Sequence, residues 1–393
     1  MRYIQTFKHP ILFKLFVTQF IIYLGTWLSL VAINTLLIKL GASEITIAVI
    51  TAAAFLPGIV IAPLSGTIID RFSTTFLMRL TISIELSMTL LYLTIDSLDE
   101  LWILFILIFL RSSAASLFFV LGMALLPKII SGHQLQEANE IHTIIWSVTY
   151  TSGMALGGIL VYYFGIYNSF LIDAALFFVA FFIINIKLEF SEQNHEPMLK
   201  MMRDGFVYLK KNPDILMLLL LHSSIAITVF DLIVTLLADL KYKYLIAVPL
   251  AIGWLNAVRA LALLIGQLIL GKYIHSSNLH IIFGLQGSFI ILWALVQFDF
   301  YLSLAGMFCV GLFTASLWSY TYLMIQNRVE RAYLGRVIAY NDMIYTVQST
   351  VTTFYIGYAV KGGFSLEVIT VTLGIVFIIV AFWYKLRFLK TLD

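Results

Sequence analysis

Long apolar runs separated by short polar breaks fill the sequence from residue 12 to residue 384. Most runs approach or exceed the roughly 20 residues that an α-helix needs to cross a bilayer. The pattern therefore predicts twelve transmembrane helices, near residues 12–38, 45–69, 76–95, 101–126, 138–164, 169–186, 215–237, 245–270, 280–296, 301–324, 337–360 and 366–384.

The longest polar stretch, residues 187–214, follows the sixth predicted helix and divides the helices six and six. We predict an N-terminal bundle of residues 1–187, a cytoplasmic linker of residues 188–213 and a C-terminal bundle of residues 214–393. Within the linker, Leu199, Met202, Phe206 and Leu209 recur at helical spacing among basic residues. This spacing predicts an amphipathic helix on an anionic membrane surface, and an ordinary solvated linker is the alternative.

Composition and charge agree with a membrane protein. Hydrophobic residues make up 61% of the chain and charged residues only 11%, against about 25% charged residues in soluble domains. A single cysteine, Cys309, excludes a disulfide scaffold, and a net charge of +3 argues against a nucleic-acid partner. With a cytoplasmic N-terminus, 18 of the 24 Lys and Arg residues fall inside, 4 outside and 2 within helices. We therefore expect both termini to be cytoplasmic, in a bacterial-type inner (plasma) membrane.

Three short motifs stand out, and all three lie in the first half of the chain. They are Gly66-Thr67-Ile68-Ile69-Asp70-Arg71-Phe72 after helix 2, Leu107 with Arg111 in helix 4, and Gly153-Met154-Ala155-Leu156-Gly157-Gly158 in helix 5. Together they resemble signatures of the major facilitator superfamily, especially its drug-efflux branch. Two further segments, Ala138-Asn139 at the start of helix 5 and Tyr208-Leu209-Lys210-Lys211-Asn212-Pro213 before helix 7, resemble its group of macrolide-efflux-type and siderophore-exporter-type proteins. The chain departs from those signatures where Ser73, Thr74 and Thr75 replace a glycine and two basic residues, and where Met154 replaces a proline.

The resemblance implies an all-α membrane protein with twelve transmembrane helices in two six-helix bundles. Helices 1, 4, 7 and 10 would line a central cavity between the bundles. The resemblance also implies that Gly66, Asp70 and Arg71 form a gating latch that docks on helix 11 beside Arg336. The glycines of the third motif, Gly153, Gly157 and Gly158, would let helices pack closely.

Ionisable residues inside predicted helices are candidate functional groups, because burying a charge in a bilayer is costly. We expect Asp231 in helix 7 to carry a coupling proton, and structural pairing with Arg259 is the alternative. Arg111 would tune a nearby carboxylate or hold an anionic substrate group, unless it forms a structural pair with Glu85. Glu85 itself is a second candidate for the proton-carrying role.

Other polar residues have expected structural roles. Asp231 and Asp342 are the acids available to pair with Arg259. We expect Asp173 to be an interfacial cap near the outer end of helix 6. His142 is predicted to be solvated, and His222 to be hydrogen-bonded by a neighbour.

Large aromatic side chains occupy several predicted cavity positions, and we expect them to bind substrate. They are Tyr23, Trp27, Trp146, Tyr150, Phe230, Trp318 and Tyr322. A cavity with flat apolar walls and few charges suits bulky amphipathic ligands.

The sequence lacks a phosphate-binding Gly-Lys-Ser/Thr loop, metal-ligand spacing and the common hydrolase signatures. We therefore expect no enzyme activity, no cofactor and no metal. The predicted function is secondary transport, with proton-coupled export (antiport) of an amphipathic small molecule such as a drug or siderophore. Alternatives are a proton-coupled uptake symporter for a small nutrient and a lysolipid flippase. The expected partners are the substrate, protons and membrane lipids, and the chain is expected to act as a monomer.

Overall fold

The computed structural model describes residues 4–184, 198–330 and 333–387. Regular structure in these ranges consists of helices. They are α1 (Ile4–Lys8), α2 (Pro10–Lys39), α3 (Glu44–Ala53), α4 (Leu56–Arg71), α5 (Thr74–Leu91), α6 (Leu101–Ile129), α7 (Gly132–Phe164), α8 (Ile166–Ile183), α9 (Met198–Lys211), α10 (Pro213–Ser223), α11 (Asp231–Leu237), α12 (Val248–Leu270), α13 (Leu279–Val296), α14 (Phe300–Arg328), α15 (Leu334–Lys361) and α16 (Leu366–Arg387).

Eleven helical segments in the described ranges are long and apolar enough to cross a membrane. They confirm the prediction of a helical membrane protein. The eleventh predicted segment, residues 337–360, corresponds to α15, which is continuous over 28 residues but is not among these spans. Helix α15 carries polar residues along its length, including Asn341, Asp342 and Gln348.

Two predicted helices are interrupted, and both interruptions correct the sequence-based prediction of continuous spans. The second predicted helix divides into α3 and α4 at Ala54 and Phe55. Pro57 follows directly, and a proline cannot donate the backbone hydrogen bond that a continuous helix needs there. The seventh divides into α10 and α11, with a 3-10 segment at Ser224–Thr228 between them.

Helices within each half of the chain pack against one another. In the first half α2 contacts α7 and α8, and α5 contacts α6 and α8. In the second half α12 contacts α14, and α13 contacts α14 and α16. The division into two six-helix bundles remains a prediction.

Contacts between the halves join α7 to α12, and α15 to α3 and α4. Helices α7 and α12 meet at glycines: a Cβ atom on Gly158 would lie 2.6 Å from the carbonyl oxygen of Pro249. On the other side of α7, a Cβ atom on Gly153 would lie 2.6 Å from the Cβ of Trp27. One on Gly157 would lie 3.0 Å from the carbonyl oxygen of Leu28. Helix α7 is therefore held between α2 and α12 through its three small residues.

The linker helix α9 lies along the start of α15. Gly205 faces Arg336 and Tyr340, and a Cβ atom at Gly205 would lie 3.1 Å from each of these side chains. The ring of Tyr208 stacks on Tyr333 at 4.3 Å. Leu209 is buried, whereas Phe206 is 59% exposed. The helix predicted in the linker is therefore present, but it uses Gly205, Tyr208 and Leu209 to dock on the protein.

Candidate functional site

The break between α10 and α11 creates irregular backbone in the interior of the protein. Ile225, Ala226, Ile227 and Phe230 are almost fully buried. The α-helical hydrogen-bond pattern gives way to a 3-10 segment at Ser224–Thr228, and residues 229 and 230 are not helical. Irregular backbone at membrane depth is tolerated only where protein or a water-filled cavity satisfies its polar groups. A nearby side chain must therefore bond at least one of the carbonyls released by the break.

Arg259 on α12 supplies that bond. Its Nη2 donates to the carbonyl oxygen of Thr228 at 2.5 Å, and its guanidinium lies 5.5 Å from the ring centre of Phe230. Its Nη1 reaches the hydroxyl of Tyr150 on α7 at 3.5 Å. The Nε atom of Arg259 is buried and has no hydrogen-bond partner in the described structure. Arg259 therefore connects the break in the second half of the chain to a helix of the first half.

Asp231 is the first residue of α11 and lies at the end of the break. It interacts electrostatically with Arg259, but the described residues contain no ion pair within 4.0 Å between Arg259 and either Asp231 or Asp342. Neither acid that was expected to pair with Arg259 therefore does so: Asp231 only lies near it, and Asp342 lies on α15. The close partners of the guanidinium are the carbonyl of Thr228 and the hydroxyl of Tyr150.

Aromatic side chains from both halves surround this centre. In the first half Trp27 lies 4.4 Å from Tyr150 and 5.8 Å from Trp146, measured between ring centres. In the second half Trp318 lies 4.7 Å from Tyr345. Tyr345 interacts electrostatically with Arg259, Asp231 and Tyr150, which relates this second aromatic group to the Arg259 centre.

Sequence reasoning missed Tyr345, because it lies on α15, outside the helices expected to line a cavity. Of the other predicted substrate residues, Phe230 lies beside Arg259, whereas Tyr322 and Tyr23 lie against histidines. Tyr322 lies 5.7 Å from His222. Phe230 is fully buried against Trp293. Tyr23 packs on His142.

The predictions for the two buried histidines, His222 and His142, fare differently. His222 contacts Thr321, with 2.8 Å between its Nδ1 and the hydroxyl, and its ring lies 4.4 Å from that of Trp318. The predicted hydrogen bond of His222 is thus confirmed. His142 was predicted to be solvated, and this was wrong: it is 5% exposed and its Nδ1 lies 3.3 Å from Gln19 Oε1.

A second charged centre lies in the first half. Arg111 Nη2 donates to Asp173 Oδ2 at 2.8 Å, and both side chains are buried. Ser29 donates to the same carboxylate oxygen. The prediction of Asp173 as an interfacial cap was therefore wrong, since the residue is fully buried. A Cβ atom at Gly25 would collide with Asp173, so the glycine makes room for the carboxylate.

Glu85, the alternative structural partner of Arg111, is fully buried and is not hydrogen-bonded to it in the described structure. Neither of its carboxylate oxygens has a hydrogen-bond partner in the described structure. It interacts electrostatically with Arg111 and Asp173. The structure thus pairs Arg111 directly with Asp173, and Glu85 is a second buried acid that interacts with both electrostatically.

The predicted gating residues lie at the ends of α4 and α15. Gly66, Asp70 and Arg71 are in the last two turns of α4, and the described structure does not include their side chains. Helix α4 contacts α15, as the latch requires. Arg336 lies 3.9 Å from Asp204 of α9. Within the described ranges, no cluster of three or more His, Cys, Asp or Glu side chains could hold a metal ion.

Comparison with known proteins places these features in a family context. Residues 15–250 match the family model of the Major Facilitator Superfamily. The chain is 29% identical over 269 residues to the uncharacterized MFS-type transporter YfiS of Bacillus subtilis (strain 168), covering 66% of this chain and 64% of YfiS. It is 23% identical over 168 residues to the Staphyloferrin A transporter of Staphylococcus aureus (strain NCTC 8325 / PS 47), covering 42% of each.

Solved structures show the same fold at low sequence identity. The nucleoside transporter NupG superposes with a TM-score of 0.78 at 13% identity, covering 96% of this chain and 99% of NupG. A bacterial homologue of the iron transporter ferroportin, in its inward-facing state, superposes with a TM-score of 0.72 at 14% identity and covers the same shares. The matched region of YfiS falls just short of two thirds of that relative's length.

Proposed function

The chain belongs to the Major Facilitator Superfamily, and from this premise we propose that it is a proton-coupled exporter (antiporter) of amphipathic small molecules such as drugs or siderophores. It is a transporter and not an enzyme, in agreement with the expectation from its sequence. The matched Staphyloferrin A transporter makes a siderophore one of the substrates to test.

The contact of Arg259 with Tyr150 carries the proposal. It joins α12 to α7, and it lies among aromatic side chains from both halves. An amphipathic substrate that inserts between these aromatic groups would displace Tyr150 from the guanidinium. Arg259 would then need another partner, since a buried cation without one is strongly disfavoured.

Asp231 is the acid that can replace Tyr150, because it lies at the same break and already interacts electrostatically with Arg259. To form an ion pair, Asp231 must be ionised. A bound substrate therefore favours release of the proton from Asp231, and a proton on Asp231 favours return of Arg259 to Tyr150. Such mutual opposition between substrate and proton is the thermodynamic requirement for antiport.

Arg111, Glu85 and Asp173 form a supporting centre in this proposal. A guanidinium with two buried carboxylates leaves one negative charge in excess, and an uncompensated buried charge is costly. One proton therefore belongs to the group. Glu85 is the better place for it, because Asp173 is already bonded by Arg111 and Ser29.

The same proposal assigns orientation and gating. We place both termini in the cytoplasm of a bacterial-type inner membrane, following the distribution of basic residues. Gly66, Asp70 and Arg71 at the end of α4 would latch to the start of α15 near Arg336. Alternation would be a rocking of two six-helix bundles, residues 1–187 and 214–393, about the Arg259 centre in a monomer.

Transport in liposomes with an imposed pH gradient tests the proposal. Lipophilic cations, macrolides, siderophores, sugars and lysolipids are offered to the wild type, to Asp231→Asn and to the control Asp239→Asn. Asp239 lies just after α11, in the segment Ala238–Tyr242. It pairs with Lys243 at 3.3 Å in a partly exposed position. We expect substrate to move against the proton flux in the wild type and the control, and not in Asp231→Asn.

The other outcomes are equally informative. Substrate movement in the direction of the protons would replace export by uptake symport. Gradient-independent movement of lysolipid alone would favour the flippase alternative and make Asp231 a structural residue.

A further inference from the structure

A groove of about 380 Å³ lies between α13 and α16, in the second half of the chain and away from the Arg259 centre. It begins at the edge of the protein where α13 starts and α16 ends. His280 and Ser288 of α13 both line it, and the eight residues between these positions rise by about 12 Å along the helix. The groove therefore runs from the end of two membrane spans toward their middle.

The groove is a gap beside a close contact between the two helices. A Cβ atom on Gly287 would lie 2.6 Å from the carbonyl oxygen of Gly374, so the two backbones touch at this level. Nearer the edge, a Cβ atom on Gly284 would have only the Cβ of Ala381 near it, at 4.0 Å. Space is thus left over where both helices carry small residues.

The walls of the groove are apolar and open to the surroundings of the spans. Ile281, Leu285 and Phe382 line it and are exposed. The hydroxyl of Ser288 donates to the carbonyl oxygen of Gly284 at 2.9 Å, so it offers no free proton to a polar ligand. In a membrane protein, exposed apolar walls of this kind meet acyl chains.

The groove is narrow, and its width selects among apolar occupants. A volume of 380 Å³ spread over a length of about 12 Å corresponds to a cross-section of about 30 Å². A helix with its side chains is at least about 10 Å across, or roughly 80 Å² in cross-section. The groove is therefore too narrow for a helix of a partner protein, and it fits a single hydrocarbon chain.

A cation lies at the edge of the groove. Lys385, in the last turn of α16, is exposed and makes no ion pair or hydrogen bond in the part of the chain that the structure describes. His280 lies at the same end, and its buried Nδ1 has no hydrogen-bond partner among the described residues. None of the described residues lining the groove is acidic. A lysine at the end of a span lies at the level of the lipid headgroups, where it can bind phosphate as a point charge.

We propose that the groove between α13 and α16 binds an anionic phospholipid. The phosphate-bearing headgroup would lie against Lys385 and His280, and one acyl chain would lie over Gly284 and Ala381. The chain would fill the gap beside the contact of Gly287 with Gly374 and so stabilise the pairing of α13 with α16. This site is independent of the transported substrate and of the direction of transport.

Lipid retention by the purified full-length protein tests the site. The protein in detergent is titrated with phosphatidylglycerol or phosphatidylcholine, and the bound lipids are counted by native mass spectrometry. Lys385→Gln removes the cation, and Gly284→Leu places a side chain in the groove itself. The control Lys211→Gln removes an exposed cation at the end of α9, outside this groove.

We expect the wild type and the control to bind phosphatidylglycerol more tightly than phosphatidylcholine. Lys385→Gln should weaken phosphatidylglycerol binding by about five-fold, as for one basic residue near an anionic surface. Gly284→Leu should retain one lipid fewer, and it should unfold in lipid-free detergent at or above the wild-type temperature, because its side chain fills the gap.

Three results would overturn the proposal. The first is phosphatidylglycerol binding by Lys385→Gln equal to that of the wild type, and the second is equal retention of the two lipids by the wild type. The third is protection against heat by inorganic phosphate as strong as that by phosphatidylglycerol, since phosphate carries no acyl chain. If Gly284→Leu fails to fold, Lys385→Gln decides alone, because its side chain is exposed and makes no contact that folding needs.

Discussion

At the scale of single residues, Arg111 and Asp173 each depend on the other. Both side chains are buried, 2.8 Å apart, within the first half of the chain. Removing one partner of a buried ion pair leaves an uncompensated charge and costs about 3–5 kcal/mol, whereas replacing both by apolar residues costs much less.

We therefore expect Arg111→Met to lower the unfolding temperature markedly, and Arg111→Met with Asp173→Leu to recover much of the loss. Thermal unfolding in detergent, followed by tryptophan fluorescence, measures both. Asp99→Asn, at an exposed position just before α6, is the control and is expected to unfold like the wild type. A double variant as unstable as the single one would show that the pair is not mutually dependent.

The sequence predicts the depth of Arg111 in the membrane but not the identity of its partner. The apolar run around Arg111 shows its depth, because each residue of a helix advances about 1.5 Å. Glu85 lies at similar depth, and it was therefore the structural partner considered for Arg111. Which side of each helix faces its neighbour depends on packing, and packing brings Asp173 of α8 to the guanidinium. Tyr150 and Arg259 meet for the same reason, across two helices whose sequences show no common pattern.

At the scale of helices, length and hydropathy predict the spans well, and irregularities within them poorly. The runs that became α6, α12 and α16 were predicted to within about four residues at each end. The break at residues 224–230 was missed because the apolar run continues through it. Its stability comes from Arg259, which is 31 residues away in sequence. The break before Pro57 has a local signal in the sequence, because a proline lacks the backbone N–H that a continuous helix needs.

Contact between α7 and α12 gives the prediction at this scale. A Cβ atom on Gly158 would lie 2.6 Å from the carbonyl oxygen of Pro249, and neither backbone can yield without moving its helix. We expect Gly158→Ala to separate the two helices at a cost of about 1–3 kcal/mol and to lower the transport rate by an order of magnitude.

Gly284→Ala is the matched control, because Gly284 has open space around it, with Ala381 Cβ 4.0 Å from the added atom. The measurement is transport by the same amount of reconstituted protein. Normal transport by Gly158→Ala would mean that α7 and α12 do not need this close approach.

At the scale of the whole molecule, α9 connects the linker to α15, a helix that packs on both halves of the chain. Tyr340 donates its hydroxyl proton to the carbonyl oxygen of Met202 at 2.9 Å. The backbone N–H of Glu330 donates to the hydroxyl of Tyr208 at 3.2 Å. Since α15 also contacts α3, α4 and α10, a displacement of α9 reaches the contact between the halves.

Gly205→Leu tests this connection. A Cβ atom already lies 3.1 Å from Arg336 and Tyr340, so a leucine side chain has no room and α9 must leave α15. We expect trypsin to cleave the variant faster at the exposed Arg203, Lys210 and Lys211, because a protease needs a locally released segment. Transport should fall in parallel if α9 steadies the contact of α15 with the two halves.

Val207→Ala is the control, because Val207 is 41% exposed on the opposite face of α9. Its cleavage and transport are expected to match the wild type. If Gly205→Leu resisted trypsin as well as the wild type does, the docking of α9 would tolerate a large side chain at its tightest point. If cleavage rose while transport stayed unchanged, α9 would be docked on α15 without taking part in alternation, and the gate would depend on α4 and α15 alone.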